Sequence, residues 1–593
     1  MISNISITEW WPLSAVATCV VTLITAYAII YQLSCRQLDP REPPVIASPI
    51  PYVGHLLGMA VQGGRYVKNL GIRNRQLPIF ALPVPNSRLY IVTDPSLAAA
   101  VQRASRALSF TPVVPAATER VLGLDAATMR IVRRHLDPGP GDERGFLADI
   151  QDMVYAWLGP GPYLGELTLA AARELQREIA SYSSSSSYSS AAQPQPPPPT
   201  DLLAWIRHLV TPATARYLYG PENPLALDPS LESAFWDFDH GLGGLLLMGG
   251  GVLAALTARR AYAGRERLAA ALAAYLEAGQ HEVAGAGASR IVRERVAVAR
   301  RHGWTLRAAA RSELSFLFAG VVNVTTAAFW LVARVFADAA LLAAVRAEVE
   351  AVLGPEEEEE EEDGTEERRR LSVADLRERC PWLVAAYREC LRLGSDNYST
   401  RVVVGGGGGE EEEEGTLLAG RYFLRRGAVV QVAGGVIHAD PAIWGDDADE
   451  FDPGRFLDKD DEQHDGDGDG ERRGRGRGRE GTATRQKKTT QVHPAAFRAF
   501  GGGKTLCPGR HLAMNEILCF VALVVLQFDI EAADDSDHSV GDGKKKERFH
   551  VPRKNDGVLP IHILEPVSPV MVRIARRKDE VVEGGVANVR FEM

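Results

Sequence analysis

The stretch Phe500-Gly501-Gly502-Gly503-Lys504-Thr505-Leu506-Cys507-Pro508-Gly509-Arg510 decides how the rest of the chain is read. It sets a cysteine in a Gly/Pro-rich loop, directly before His511-Leu512-Ala513-Met514, where apolar residues begin to recur at helical spacing. That arrangement suits a thiolate bound to a metal centre. Glycines let the backbone pass close to a large flat ligand. Amides of the loop and of the coming helix N-terminus can donate to the sulfur and hold it as the anion. Phe500 would pack over the sulfur and restrict water. Two other readings compete. Gly501-Gly502-Gly503-Lys504-Thr505 looks like the end of a phosphate-binding loop, but that motif needs a further glycine where Arg498 stands. A free cysteine is also often plain buried core.

The 593 residues suffice for one large domain with additions or for several domains, and 46% hydrophobic residues can fill a large core. Six cysteines, at 19, 35, 380, 390, 507 and 519, are too few and too scattered for a disulfide framework. The net charge of −10 is local: Glu356 to Glu362 and Glu410 to Glu414 supply twelve negative charges in two runs that read as solvated insertions. The remainder is near neutral, which argues against a nucleic-acid partner.

No charged residue occurs from Trp10 to Cys35, and residues 13–33 are almost wholly apolar, long enough to cross a bilayer as a helix. No small-residue cleavage site follows, so the span reads as a retained anchor; a buried core helix is the alternative. Arg36 and Arg41 follow it and no Lys or Arg precedes it, which puts the bulk of the chain in the cytosol. Trp10 and Trp11 suit the opposite interface, and the sequon Asn4-Ile5-Ser6 would be luminal. Pro40, Pro43, Pro44, Pro49 and Pro51 stiffen the next segment. Strands are expected at 78–82 and 88–92, then a helix opened by Asp94. Helical periodicity marks 202–219, 231–248, 261–278, a long helix at about 305–336, a helix at 339–353 capped by Asp338, and 512–528.

The Cys507 loop resembles the haem-binding signature of the cytochrome P450 superfamily, roughly F-x-x-G-x-R-x-C-x-G, with Phe500, Gly503, Cys507 and Gly509 in place. The Arg or His usual two positions before the cysteine is Thr505 here, with Lys504 beside it, so that position lacks the usual propionate contact. The resemblance implies a haem b whose iron takes the Cys507 thiolate, an axial ligand that favours O–O cleavage.

Phe318-Ala319-Gly320-Val321-Val322-Asn323-Val324-Thr325-Thr326 resembles the family's oxygen-binding helix, whose usual pattern is A-G-x-(D/E)-T. Aligned on Ala319-Gly320, Val322 takes the acid position and Asn323 the alcohol position. Asn323 can hydrogen-bond to dioxygen or water but does not titrate, so any proton relay must differ. Thr325 and Thr326 lie a turn away and more often bond back to their own helix. Asn323, Phe329-Trp330 and Thr505 together resemble the clan of sterol 7α-hydroxylases and prostacyclin synthase.

Glu389 and Arg392 stand at i, i+3 on one helix face, a pairing that is commonly exposed. Phe451-Asp452-Pro453-Gly454-Arg455-Phe456 matches the family's P-x-R-F element, between that helix and Cys507. The resemblance makes Glu389, Arg392 and Arg455 a buried ion network that supports the cysteine loop. It also sets Arg401 on a haem propionate, with a surface arginine as the alternative. Arg130, Arg133 and Arg134 read as surface charge or as further propionate candidates. Residues 561–564 and 570–574 resemble the family's closing hairpin, whose turn near Pro566-Val567-Ser568 would reach the active site. Asp465, Asp467 and Asp469 mimic a calcium loop, but its Glu would fall at Gly476, so 459–490 reads as a polyampholyte loop.

The expectation is a mainly α, prism-shaped cytochrome P450 fold with a small β lobe, plus one N-terminal transmembrane helix. Residues 1–35 would be the membrane anchor and 36–52 the proline-rich hinge. Residues 53–593 would be the haem-thiolate domain, with inserts near 183–200, 355–370, 405–415 and 459–490. The resemblance implies a monooxygenase that uses dioxygen and NADPH-derived electrons from an NADPH–cytochrome P450 reductase. Its substrate would be a lipophilic small molecule such as a sterol, a terpenoid, or another lipid or secondary metabolite. Ala319, Gly320 and Asn323 would be the catalytic positions. Arg498, Lys504 and Arg510 would offer the reductase a positive face. The resemblance further implies the endoplasmic reticulum membrane, in a single pass with a cytosolic catalytic domain. The alternatives are a reductase-independent isomerase or dehydratase acting on a lipid peroxide, and a haem-binding protein without turnover.

Overall fold

Helices begin where the sequence supplies a cap. Asp94, Thr305 and Asp338 accept the amides of Leu97, Ala308, and Ala340 with Leu341, and so start Pro95–Arg103, Leu306–Ala337 and Ala339–Val352. The structure, a computed structural model, describes the chain apart from residues 1–10, 140, 186–196, 249–251, 286, 362–363, 406–413, 458–491, 534–548 and 578–584. The Asn4 sequon, Trp10, the polyampholyte loop and most of the Ser/Pro-rich and Gly/Glu inserts lie outside the described residues.

From Val321 onward the central helix Leu306–Ala337 is apolar nearly all round and is buried nearly all round. It packs among helices Leu202–Tyr219, Arg259–Glu277, Pro381–Gly394 and Arg510–Gln527. Among the described residues three helices are long and apolar enough to cross a membrane. The windows in Leu306–Ala337 and Arg510–Gln527 are 72% and 78% buried within the protein, against 6% for Thr18–Cys35, so only the N-terminal helix leaves its apolar surface free for a bilayer. Residues 36–52 are clipped to the body. Glu42 is buried, ion-paired to Arg88 at 3.3 Å, and accepts from Tyr90 Oη at 2.9 Å. Arg88 also donates to the carbonyls of Ser34 and Arg36, where the N-terminal apolar helix ends.

The β lobe is one five-stranded sheet in the order Ile79–Val84, Ser87–Val92, Val429–Ala433, Tyr398–Val403, Leu108–Ser109. Val429–Ala433 runs parallel to Ser87–Val92, and the other pairs are antiparallel. This sheet holds Arg401 beside the Cys507 loop. The stretch near 355–370 forms a hairpin, Leu353–Glu361 with Gly364–Ser372, whose register sets Glu356 and Glu357 opposite Arg369 and Arg368. Val589–Glu592 adds a third, parallel strand.

Residues 561–564 form no strand. Strand Met571–Arg576 pairs instead with Phe528–Ala532 and Thr200–Asp201. Pro560, Pro566 and Pro569 remove ladder donors on both sides of this segment, which leaves it as a loop. The expected helix 231–248 is two helices, Ser230–His240 and Leu242–Met248, broken at Gly241. A Cβ there would stand 2.3 Å from Ala261 Cβ.

Glu516, on the helix after Cys507, is fully buried and accepts from Tyr217 Oη at 3.3 Å and Thr214 Oγ1 at 3.5 Å. Burial outweighs these two hydrogen bonds and raises its pKa to about 8. Between the ordinary value of 4.5 and about 8 the folded state therefore binds the extra proton, so stability falls as pH rises through that window and is level above it. Glu516→Gln is expected to flatten that part of the curve of urea midpoint against pH, and an unchanged slope would refute the assignment.

Candidate functional site

The Cys507 loop is closed by its own backbone. Cys507 N donates to Phe500 O at 3.0 Å, Leu506 N to Gly503 O at 3.0 Å, and Gly501 N to Arg498 O at 3.0 Å. Gly501 and Gly503 have φ of +74° and +63°, the left-handed region that only glycine enters freely. Helix Arg510–Gln527 starts at Gly509, where a Cβ would lie 3.9 Å from Cys507 Sγ. Gly509 thus places no side chain of its own on that flank of the sulfur. Cys507 is half-buried, whereas Cys380, Cys390 and Cys519 are buried. Burial pushes the Cys507 thiol up, against the Gly509 and Arg510 amides and the Arg510 guanidinium, which pull it down. Cation binding at the sulfur would remove that proton outright. Phe500 contributes the carbonyl that closes the loop, and its half-buried ring packs against the core.

Beside the loop lie two buried guanidinium groups. Arg401 donates from Nη2 to Thr505 Oγ1 at 2.6 Å and to Gly502 O at 3.3 Å. The threonine in the usual Arg position is thus the acceptor that fixes another arginine. Arg498 is 1% exposed, donates to Ser399 Oγ at 2.8 Å, and leaves Nε with no partner. The expected docking role of Arg498 is therefore wrong: a buried guanidinium offers no surface charge to a partner. Lys504 is exposed, and half-buried Arg510 is tied to the Cys507 carbonyl at 3.1 Å. Burial, and then the neighbouring Arg401, lower the pKa of Arg498 to about 10. Among the described residues no carboxylate pairs with either arginine. Gly502 lets Gln102 and Arg498 pack against the loop, since a Cβ there would meet Gln102 Nε2 at 1.9 Å and Arg498 Nη1 at 2.9 Å. A half-buried sulfur beside two unneutralised buried cations fits a haem, an iron cofactor with carboxylates at its rim. Arg130, Arg133 and Arg134 are exposed, and Arg133 pairs with Glu119, as surface charge does.

On the central helix Ala319 is exposed, and Gly320 and Asn323 are half-buried, within an otherwise buried protein core. They form a short accessible stripe of the helix. A Cβ on Gly320 would meet Thr214 at 3.3 Å, so this glycine also allows close helix packing. Asn323 Oδ1 accepts from Ile563 N at 2.9 Å. Within this loop, residues 563 and 564 are the ones bonded to the central helix. Trp330 Nε1 donates to Leu564 O at 2.9 Å, and Leu564 N donates to Gly394 O at 3.1 Å. Thr326 bonds back to Val322 O at 3.0 Å, and Thr325 Oγ1 is buried without a partner. Asn323→Ala is expected to orphan the buried Ile563 amide and destabilise the loop by about 1–3 kcal/mol. A drop in thermal midpoint together with weaker substrate binding would show it; an unchanged midpoint would refute it.

Glu389 and Arg392 are completely buried. Arg392 grips Glu389 with two bonds, at 2.7 Å and 2.6 Å, and donates to the carbonyls of His438 and Ala448 at 2.7 Å and 2.6 Å. Arg455 reaches Glu389 at 3.3 Å and also binds the carbonyls of Trp444 and Asp447. The network reaches the cysteine loop through His438, which sequence reading missed. Its Nδ1 donates to Ser395 O at 2.9 Å, and its Nε2 accepts from Arg498 N at 2.8 Å. Burial drives its pKa to about 3, so the ring is neutral, as the accepting Nε2 requires. Asn397 adds a bond to Ala499 O at 3.1 Å. A separate cavity of about 570 Å³ lies behind this helix, lined by Arg392, Asp396, His438 and Lys554 among others. Neither Cys507 nor Asn323 lines it, so it lies apart from the sulfur.

The family model for cytochrome P450 matches residues 299–559. The chain is 29% identical over 544 residues to "Cytochrome P450 monooxygenase nodJ" of Hypoxylon pulicicidum, covering 91% of each. A shorter match, 27% over 152 residues, is to a bifunctional cytochrome P450/NADPH–P450 reductase of Alternaria alternata and covers 26% of this chain and 10% of that one. Among solved structures, the haem domain of cytochrome P450DA superposes with a TM-score of 0.59 at 15% identity, covering 91% of this chain and 99% of that one, which speaks to the fold. Motif order, fold and full-length similarity converge, and the chain belongs to the cytochrome P450 superfamily as a haem-thiolate monooxygenase.

Proposed function

We propose that this protein is a membrane-anchored P450 that receives NADPH-derived electrons from a separate reductase and hydroxylates a lipophilic small molecule. The sterol and terpenoid classes are suggested by the Asn323 and Thr505 resemblance. The observation that carries the reading is the half-buried Cys507 on a loop flanked by two buried arginines that have no carboxylate partner among the described residues. Bound haem supplies the dioxygen chemistry. In this reading Cys507 is the iron ligand, with Gly503 and Gly509 shaping its loop and Phe500 at its rim. Arg401 and Arg498 bind the haem carboxylates. Ala319 and Gly320 leave room over the cofactor, and the Asn323 amide nitrogen is the polar group nearest the reaction. Glu389, Arg392 and Arg455 hold the scaffold.

The partial match to a P450–reductase fusion supports a reductase partner. The free apolar face of Thr18–Cys35 supports anchoring. A second exposed apolar face adds to it: Leu56, Leu57 and Val61, Val558, and Leu247, Leu253 and Leu256. Gly64 N bonds to Val558 O, and Gly243 lies against Leu559, which joins these segments. With Arg36 and Arg41 following the span, we place the body on the cytosolic side of the endoplasmic reticulum membrane.

A second reading is reductase-independent rearrangement of a lipid peroxide. One observation favours it: residues 319–326 hold no titratable side chain, and Asn323 Oδ1 is committed to Ile563. The deciding experiment measures NADPH and oxygen consumption by membranes holding this protein and a reductase, against sterols, terpenoids and fatty acids, with Cys507→Ala as control. Substrate-stimulated, Cys507-dependent consumption with oxygenated product supports the first reading. Conversion of a lipid peroxide without NADPH, and no consumption, replaces it with the second. Haem binding with neither reaction leaves a non-catalytic haem protein.

A further inference from the structure

Asp239 sits at the end of helix Ser230–His240 with its side chain fully buried, yet among the described residues neither carboxylate oxygen makes a well-formed hydrogen bond. The nearest cation is His562 Nε2, 3.3 Å from Oδ1. A buried acceptor short of donors is costly, and a buried carboxylate more so. His562 answers Oδ1 in charge, whereas Oδ2 has no donor among the described residues, and its partner is to be sought outside the chain. His562 Nδ1 donates to the Ile563 carbonyl at 2.8 Å, which leaves Nε2 to face Asp239. Burial pushes the His562 pKa down, but Asp239 and the Ile563 carbonyl more than offset it, in keeping with an imidazolium against a carboxylate.

The pair stands at the meeting point of helix Ser230–His240, the central helix and the 559–565 loop. Asn323 holds the amide next to His562. Phe318, next to Ala319, meets Phe238 at 6.1 Å and His562 at 6.4 Å between ring centres, both edge to face. Asp239, His240 and Glu565 lie close enough to hold a metal ion, but Arg207 already neutralises Glu565 and donates to His240 Nε2 at 3.0 Å. A second cation is disfavoured there, and the Asp239–His562 pair is itself balanced in charge.

We propose that Asp239 and His562 are a polar anchor for the substrate. Asp239 accepts a hydrogen bond from a hydroxyl or another neutral donor on an otherwise lipophilic molecule, and so selects which carbon faces the iron. This rests on the haem reading above and adds to it the substrate's polar handle.

The test uses ferric holoenzyme and two probe series, n-alkyl imidazoles and their ω-hydroxy counterparts of graded chain length, titrated by the nitrogen-ligation spectrum. At one chain length the hydroxyl should tighten binding about tenfold, the worth of a hydrogen bond to a buried charge. Asp239→Leu should abolish that advantage, so that the alkyl and ω-hydroxy series bind it alike. The isosteric Asp239→Asn should reduce it, and serves if the leucine variant fails to bind haem. Equal affinities for the two series in the parent at every length, or an undiminished advantage in either variant, overturn the anchor alone. No nitrogen-ligation spectrum with either series overturns the haem reading, and the anchor with it.

Discussion

Arg392→Leu is expected to give a protein that holds little haem. The change leaves Glu389 charged and completely buried, with Arg455 at 3.3 Å as its remaining cation. It also strips the donors from the carbonyls of His438, Ala448 and Glu450. Breaking a buried pair by removing one partner costs about 3–5 kcal/mol, a large share of the roughly 5–15 kcal/mol that a folded domain has in total. The effect should reach the metal site, because His438 bonds the Arg498 amide and Arg498 O receives the Gly501 amide of the cysteine loop. Arg392→Lys should recover only part, since an ammonium cannot make the forked contact. The measurement is haem per protein after purification, with the urea midpoint of the apoprotein. A midpoint within about 0.5 kcal/mol of the parent, the range of neutral surface changes, would refute the assignment.

Arg498→Leu should act with opposite signs on the two forms of the protein. Without a cofactor, Arg498 is a buried cation with one unpartnered N–H and a second guanidinium as neighbour. Its removal should leave the apoprotein as stable as the parent or more so. With haem bound, the same change removes a charge-assisted hydrogen bond worth about 1.5–3 kcal/mol, so loss of haem to an acceptor such as apomyoglobin should speed up about tenfold or more. Arg401→Leu should share the faster loss. It should also loosen the loop, because Arg401 is the donor that fixes Thr505. If Arg498→Leu destabilises the apoprotein and leaves haem loss unchanged, Arg498 is a structural residue and not a cofactor ligand.

Much of the site was legible because its chemistry is local. A cysteine among glycines before an apolar helix, Glu389 and Arg392 one turn apart, and caps at Asp94, Thr305 and Asp338 all act within four residues. Such patterns depend on backbone geometry that the chain determines by itself. The N-terminal apolar helix was legible for a related reason: a candidate span needs an uninterrupted apolar length, and residues 13–33 supply it. The central and Cys507 helices meet the same length and composition test, and only their burial shows them to be core.

Tertiary structure decided what depends on partners far along the chain. Arg498 reads as surface charge until Ser399, Gln102 and Gly502 are folded around it. His438 has no periodic or motif signal, and its role exists only once Ser395 and Arg498 flank its two nitrogens. That the Glu run forms a strand, with Glu356 and Glu357 in register with Arg369 and Arg368, is likewise a tertiary outcome. Asn323 with Ile563 and Asp239 with His562 are joined across more than two hundred and more than three hundred intervening residues, respectively. Composition and spacing state which side chains a segment can bury. Which charge ends up without a counter-charge, and so which ligand the protein awaits, is set by packing between segments, because only packing excludes the water that would otherwise satisfy it.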